Sequence, residues 1–411
     1  MEPAPNTLLR RASGLALALL PGDQVRLDLE AGPLVTGPHT LALLAAFGQP
    51  RTAADVLAEL RPSCLGAQDC MDLSSTLNHL HGAGVLVAAG LPGTNSLDGA
   101  GGFSAAPVHI AMLDDRERTR KFLQAVREVV RPGDVVVDLG TGTGVLATAA
   151  ALAGARHVYA VEATRLGEVA CRVFAANGVG DRVTLLPGWS TRLELPEAAD
   201  VLVAEIIGDE PLGEEVLELT LDARRRFLRP GARLIPRTIE IRVTPVEVPV
   251  EVLTRRRFTP EAAERWREWY GLDFSPLPEA EFTAPDWFRA KTPEARQWPV
   301  LAPTTSVVAL DLALLESPSV EATCTVDVTA PGRVNALVVS FDLDLAPGIR
   351  LTNTPWTAPE GCHWGVTVWP LDRPLPVTPG DRVRVIYRYR SGDRRLEAYP
   401  EGKTSTSQVE T

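Results

Sequence analysis

The stretch from Val135 to Ala163 reads VVVDLGTGTGVLATAAALAGARHVYAVEA, and it leaves the chain few folds to choose from. A continuous apolar strand ending at Asp138 runs into a turn that carries Gly140, Gly142 and Gly144. An alanine-rich helical run follows, then a second apolar strand that ends on Glu162. Glycine at these positions lets the backbone take positive φ and lets a ligand approach closely. Strand, glycine turn, helix and strand form one unit of a parallel α/β sheet. An acid at the end of the second strand is placed to accept both hydroxyls of a ribose. A glycine turn by itself also fits a dinucleotide fold, so the neighbouring residues must decide the ligand.

With 411 residues the chain exceeds one core, and its patterning changes twice. Residues 14–88 mix short strands (DQVRLDL, GVLVAA) with helical runs (HTLALLAAF, TAADVLAEL), Thr52 standing where an N-cap would. Residues 89–104, AGLPGTNSLDGAGGFS, read as a linker. Residues 105–237 alternate apolar strands and helices, as a mostly parallel sheet does. From 238 to 401 the runs alternate residue by residue (IEIRVTP, SVVALDLALL, EATCTVDV, ALVVSFDLDL, RVRVIYRYR), which predicts an antiparallel sheet or barrel. A helical insertion, PEAAERWREWYG, interrupts it, and residues 402–411 form a polar tail expected to be disordered. The formal charge of −11 argues against nucleic acid as a partner. Five cysteines show neither metal-ligand spacing nor a disulfide framework, so no metal is expected and a reducing cytoplasm is. The apolar run GLALALLPG is too short for a membrane span, and no membrane partner is expected.

Two details narrow the ligand. The first strand delivers Asp138 into the turn as D-L-G-x-G-x-G, not the G-x-G-x-x-G of nicotinamide binders. An acid there suits the amino end of a methionine-type cofactor. The stretch resembles the class I S-adenosylmethionine-dependent methyltransferases, which implies S-adenosyl-L-methionine as cofactor, held by Asp138, Gly140, Gly142, Gly144 and Glu162.

Upstream, HIAMLDDRERT resembles the leading helix of the protein arginine methyltransferases, H-x-x-M-L-x-D-x-x-R-T, through His109, Met112, Leu113, Asp115, Arg118 and Thr119. The resemblance implies that Arg118 holds the cofactor's carboxylate and that Met112 packs against the sulfonium. Downstream, AEIIGDEPLGEE carries Glu205 and Glu214 at the separation of that family's paired glutamates, and Glu215 beside the second. A guanidinium stays protonated, with a pKa above about 12, and offers five donors in a fixed fork. Two carboxylates facing it would align one nitrogen with a methyl donor and offset the repulsion between two cations. A solvated acidic loop is the alternative.

Farther on, GCHWGVTVWPLDRPLPVTPGD resembles the family's Thr-His-Trp loop, with Cys362 in place of threonine. This implies that His363 pairs with Asp115, as catalytic residues, and that Trp364 lines the substrate site. RWREWYGLDFSPL resembles the family's arm, here about 254–300, which implies a head-to-tail homodimer; an aromatic stripe covering its own barrel is the alternative. The resemblance spans about residues 105–400. Against it, the family's Tyr-Phe-x-x-Tyr segment is missing, GAGGFS with Phe103 stands there instead, and Ile206 and Ile207 replace a bulkier pair.

Residues 14–88 lie outside that family's pattern. They resemble small winged-helix modules that bind leader peptides of ribosomally made, modified peptides, adding the peptide to a sheet edge. A shielding or dimer-widening role is the alternative. The expected fold is therefore an α/β Rossmann-like domain followed by an antiparallel β-barrel and preceded by a winged-helix-like α+β domain. The expected activity is transfer of methyl to an arginine guanidino nitrogen of a protein or peptide; a different peptide side chain or a small metabolite is the alternative acceptor.

Overall fold

The computed structural model describes residues 8–12, 15–21, 24–29, 32–37, 39–88, 106–256, 258–279, 287–390 and 393–401. The linker 89–104 with Phe103, the tail 402–411 and part of the arm lie outside the described residues. The chain gathers into two compact units. The first is built from described residues of Met1–Leu113, Gly140–Thr148 and Tyr159–Leu193, the second from Asp114–Leu139, Ala149–Val158 and Glu194–Thr411.

In the first unit, two three-stranded antiparallel sheets meet three helices. One sheet runs Arg51–Thr52, Leu8–Arg11, Leu86–Ala88; the other runs Ala16–Leu20, Gln24–Leu29, Gly32–Thr36. Alternation in QVRLDL sends Val25 and Leu27 inward, where they meet Leu9, Leu43, Phe47, Val56, Leu73 and Leu77. Thr52 caps the helix Ala53–Leu60: its hydroxyl accepts from Asp55 N (3.1 Å) and donates to Asp55 Oδ2 (2.7 Å).

In the second unit, the strand Val135–Leu139 is wholly buried and pairs in parallel with Ala199–Ala204, which pairs in parallel with Leu228–Ile235. They belong to a five-stranded sheet of order Leu228–Ile235, Ala199–Ala204, Val135–Leu139, His157–Glu162, Val183–Pro187. The strand order therefore reverses between Val135–Leu139 and Ala199–Ala204. At such a reversal the carboxyl ends of the strands border a crevice that takes ligands. Leu139 stands opposite Ala204, so Glu205 leaves the sheet at that edge.

The antiparallel region is built from two sheets. One has the order Phe288–Ala290, Val366–Val377, Gly332–Ala346, Thr238–Val246, Thr305–Asp311, with Ile349–Thr352 on Gly332–Ala346; the other runs Ser319–Asp327, Arg382–Arg390, Asp393–Glu401. Ile239, Ile241, Val339, Phe341 and Leu343 are fully buried there. The inserted helix Pro260–Tyr270 starts at Thr259, whose hydroxyl accepts from Ala262 N (3.1 Å), and stops at Gly271 with φ 68°. Trp269 and Tyr270 on it are about three-fifths exposed, so this part of the aromatic stripe does not cover the unit's own sheets. No described helix is long and apolar enough to cross a membrane.

Candidate active site

In the first unit, Gly140, Gly142 and Gly144 all hold positive φ (69°, 52° and 83°). At Gly142 a Cβ would also lie 3.1 Å from His109 Cε1, a ring supplied by the helix Ala106–Asp114 that also carries the half-buried Met112. The Glu162 carboxylate closes the turn: Oε2 accepts from Gly142 N and Oε1 from Thr164 N, each at 2.8 Å. Each oxygen keeps a second lone pair for another donor, such as a hydroxyl. Glu162 thus fixes the turn as well as offering the acceptor the sequence suggested.

In the second unit, Asp138 is buried at the end of Val135–Leu139. Asp115 caps the helix Arg116–Val129, its Oδ1 accepting from Arg118 N (3.0 Å). Its Oδ2 accepts from His363 N (2.9 Å) and lies 3.0 Å from His363 Nδ1. Burial opposes ionisation of Asp115, but hydrogen bonds from His363 and from Arg118 N outweigh it and hold the carboxyl below its ordinary range.

One turn into that helix, Arg118 forms an ion pair with Glu205, both side chains 6% exposed. Its guanidinium stands over the rings of Phe122 (5.6 Å) and Trp364 (5.7 Å). Burial pushes the Glu205 carboxyl up, and Arg118 works against that push. The resemblance assigns Trp364 to the substrate site. In the structure it is 3% exposed, packed on Phe341 and His363, and its indole N–H donates to Ile207 O (2.8 Å). Its position is that of a strut under the acidic loop.

That loop folds back on itself. A Cβ at Gly208 would stand 2.7 Å from Glu214 Oε1, so a larger residue there would push the second glutamate's carboxylate away from its present place beside the first arm of the loop. Glu214 keeps some solvent access yet has protein on nearly every side. Its carboxyl is pushed up to about 8, by burial first, then by the charges of Glu205 and Asp209, with Arg289 opposing. Glu215, next in the chain, points away: it is exposed, with φ 56°, and begins the helix Val216–Arg226.

Several residues of the site were not singled out from sequence. Asp209 accepts from Gly365 N (2.7 Å) and lies 3.8 Å from Arg289 Nε. Glu210, 3% exposed, meets Tyr387 and Arg394. The only available signal was the acid density of the loop itself; their partners come from distant strands. Among the described residues no group of three or more His, Cys, Asp or Glu is arranged to hold a metal.

A parallel sheet whose first strand runs into a glycine turn, followed along the chain by an antiparallel region, is the arrangement of a class I methyltransferase fold with a second, all-β domain. A family model described as ribosomal protein L11 methyltransferase matches residues 115–274, and one described as arginine methyltransferase oligomerization subdomain matches residues 248–397. An arginine N(omega)-methyltransferase of Streptomyces achromogenes subsp. streptozoticus is 33% identical over 280 residues, covering 66% of this chain and 73% of that protein. A probable histone-arginine methyltransferase CARM1 of Oryza sativa subsp. indica is 33% identical over 288 residues, 66% of this chain; the chain spans about half (52%) of its length. Among solved structures, the Trypanosoma brucei PRMT1 enzyme-prozyme complex with AdoHcy shares the fold, with TM-score 0.61, 23% identity and coverage of 72% and 99% of the two chains. The chain belongs to the protein arginine methyltransferase family.

Proposed function

We propose that the protein transfers a methyl group from S-adenosyl-L-methionine to a guanidino nitrogen of an arginine in a protein or peptide. The observation that carries this reading is Glu214: a carboxylate enclosed beside a second one, Glu205, at the carboxyl edge where the strand order reverses. Among the described residues no side chain or amide donates a hydrogen bond to Glu214, and a substrate guanidinium brings the missing donors.

The cofactor's own chemistry is an electrophilic methyl on a sulfonium, and the residues present fit the group. Positive φ at Gly140, Gly142 and Gly144 keeps the turn tight under a ligand, and Asp138 and Glu162 would supply carboxylates for an amine and for ribose hydroxyls. Arg118 supplies the cation for a carboxylate, and Met112 a soft apolar surface. Glu205 and Glu214 hold the guanidinium, align one nitrogen and concentrate positive charge on the other two. The guanidino nitrogen aligned in this way would receive that methyl and give up one proton, and the two carboxylates would offset the charge meanwhile. His363, held by Asp115, would take up such a proton late in the reaction.

Purified protein, labelled cofactor, arginine-containing peptides and free arginine test the reading by mass spectrometry of the product. Methyl on a guanidino nitrogen is expected; methyl found only elsewhere, or nowhere, overturns it. Free arginine belongs in the assay because the Streptomyces relative carries the name arginine N(omega)-methyltransferase, which favours a small metabolite as the second reading.

Two partners complete the proposal. The exposed Trp269, Tyr270 and Leu272 lie within the match to the oligomerization subdomain and serve a homodimer. Trp269→Glu with Tyr270→Glu halves the mass in light scattering if so, and leaves it unchanged if not. The first unit's sheet edge Ala16–Leu20 exposes Leu17 and Leu19 although their opposite residues Leu27 and Val25 are buried, which suits an added peptide strand such as a leader. Leu17→Lys with Leu19→Lys is expected to weaken a long peptide substrate and spare a short one; equal effects remove the idea. Five free thiols suit a reducing, cytoplasmic setting.

A further inference from the structure

Between Glu205 and Glu214 lies a third, fully enclosed glutamate with a different set of neighbours. Glu210 Oε1 accepts from Tyr387 Oη (3.0 Å), and Oε2 accepts from Leu212 N (3.1 Å). Arg394 Nε lies 3.2 Å from Oε2, an ion pair off the N–H direction, while Arg394 Nη2 donates to Gly213 O (3.3 Å). One arginine thus touches the loop at two points, the second being the residue just before Glu214. Four residues past Glu214, Tyr389 Oη donates to Glu218 (2.9 Å and 3.0 Å). All three side chains come from the hairpin Arg382–Arg390 and Asp393–Glu401. Glu214 therefore sits on a short span pinned on both sides by one hairpin.

The energetics say why the pins are polar. A buried carboxylate–guanidinium pair gains little or nothing over well-packed apolar side chains, because desolvation consumes the attraction. Burial indeed pushes the Glu210 carboxyl up against the pull of Arg394. What the pair adds is placement: one rigid guanidinium attracts the Glu210 carboxylate by its charge and donates a directed N–H to the Gly213 carbonyl. Apolar replacements would fill the space without fixing the span.

We propose that Glu210, together with Arg394 and Tyr387, is a positioning residue that holds Glu214 beside Glu205, which makes the C-terminal hairpin part of the methyl-transfer apparatus. This rests on the function proposed above. The charged groups that set Glu214 itself are Glu205, Asp209 and Arg289, none of which the anchor variants alter.

The test uses the full chain with E210L/R394M and Y387F. Carbon-13 NMR titration follows the Glu214 carboxyl, assigned with E214Q, and needs no turnover. Calorimetry reads cofactor affinity, thermal unfolding reads integrity, and steady-state assays read kcat and KM on an arginine peptide. Expected for E210L/R394M are wild-type-like unfolding and cofactor affinity and a kcat about 100-fold lower, as about 1 Å of misplacement costs. The Glu214 titration should fall by about one pH unit or more as the span opens to water. Y387F, which removes one hydroxyl, shifts both in the same direction by less, and decides the matter if the double variant does not fold. A Glu214 titration and a kcat that stay at wild-type values in a folded variant overturn the proposal. A wild type that methylates no guanidine sinks the functional reading instead, and the carboxyl titration still decides whether Glu210 holds Glu214.

Discussion

Glu162 and Glu214 are both enclosed carboxylates, one at the glycine turn of the first unit and one in the acidic loop of the second. Glu162 is met by two backbone amides at 2.8 Å, so its hydrogen bonds are largely made by the fold itself. Glu214 meets two other carboxylates and a single arginine and is pushed up to about 8. The first is finished architecture that happens to offer spare lone pairs. The second is crowded by burial and by other carboxylates, which favours its protonated form, and a cationic ligand would relieve it. Under the proposed function, the difference separates a residue that shapes a site from one that would receive the substrate.

Exchanging carboxylate for amide breaks the comparison most directly. Glu214→Gln and Glu205→Gln are each expected to lower kcat/KM about 10³-fold, the scale of one lost transition-state electrostatic partner. Cofactor affinity, read by calorimetry, should stay near wild type for Glu214→Gln. Glu162→Gln should do the reverse, setting an amide donor against the Gly142 or Thr164 N–H and weakening cofactor binding about tenfold. Wild-type turnover in either clamp variant would return the acidic loop to a solvated surface feature.

A smaller effect comes from pH. Glu214 must be ionised to receive a guanidinium, so kcat/KM is expected to rise with pH and level off above about 8. Stability runs the other way. Between the ordinary value of 4.5 and about 8 the folded chain holds a proton that the unfolded chain has lost, so this group's contribution to stability declines as pH rises through that window. Glu214→Gln removes the decline: its melting temperature should gain on wild type between pH 6 and pH 9. Parallel melting curves at all pH values would show that Glu214 is ordinarily solvated.

How much of this could be read beforehand depends on the reach of each interaction. The glycine turn, Glu162 and the Thr52 cap are local, and their residue types announce them. The spacing of Glu205 and Glu214 and the pairing of His363 with Asp115 were suggested by likeness to a family; residue types alone would not have joined positions 248 apart in the chain. Glu210 was hidden because its meaning lies in Tyr387, 177 residues away, and in the register that sets Tyr387 and Arg394 on neighbouring strands. Arg289 lies in a three-residue strand with nothing to mark it, and the burial of Trp364 follows from packing on Phe341 that no pattern displays.

The smallest expected effect sharpens the comparison from the side of the first unit. Thr52→Ala removes the one hydroxyl that both accepts from Asp55 N and donates to Asp55 Oδ2. A lost N-cap costs about 1 kcal/mol. Amide exchange should quicken along Ala53–Leu60, where the helix loses its first anchored turn, while residues of the Val135–Leu139 strand keep wild-type protection. Methyl transfer to a short arginine peptide should not change, because neither carboxylate type compared above depends on that helix. A short-peptide kcat that drops with the cap would mean that the clamp glutamates owe their placement to the first unit's helices as well as to the hairpin, and that the two kinds of carboxylate are not set independently.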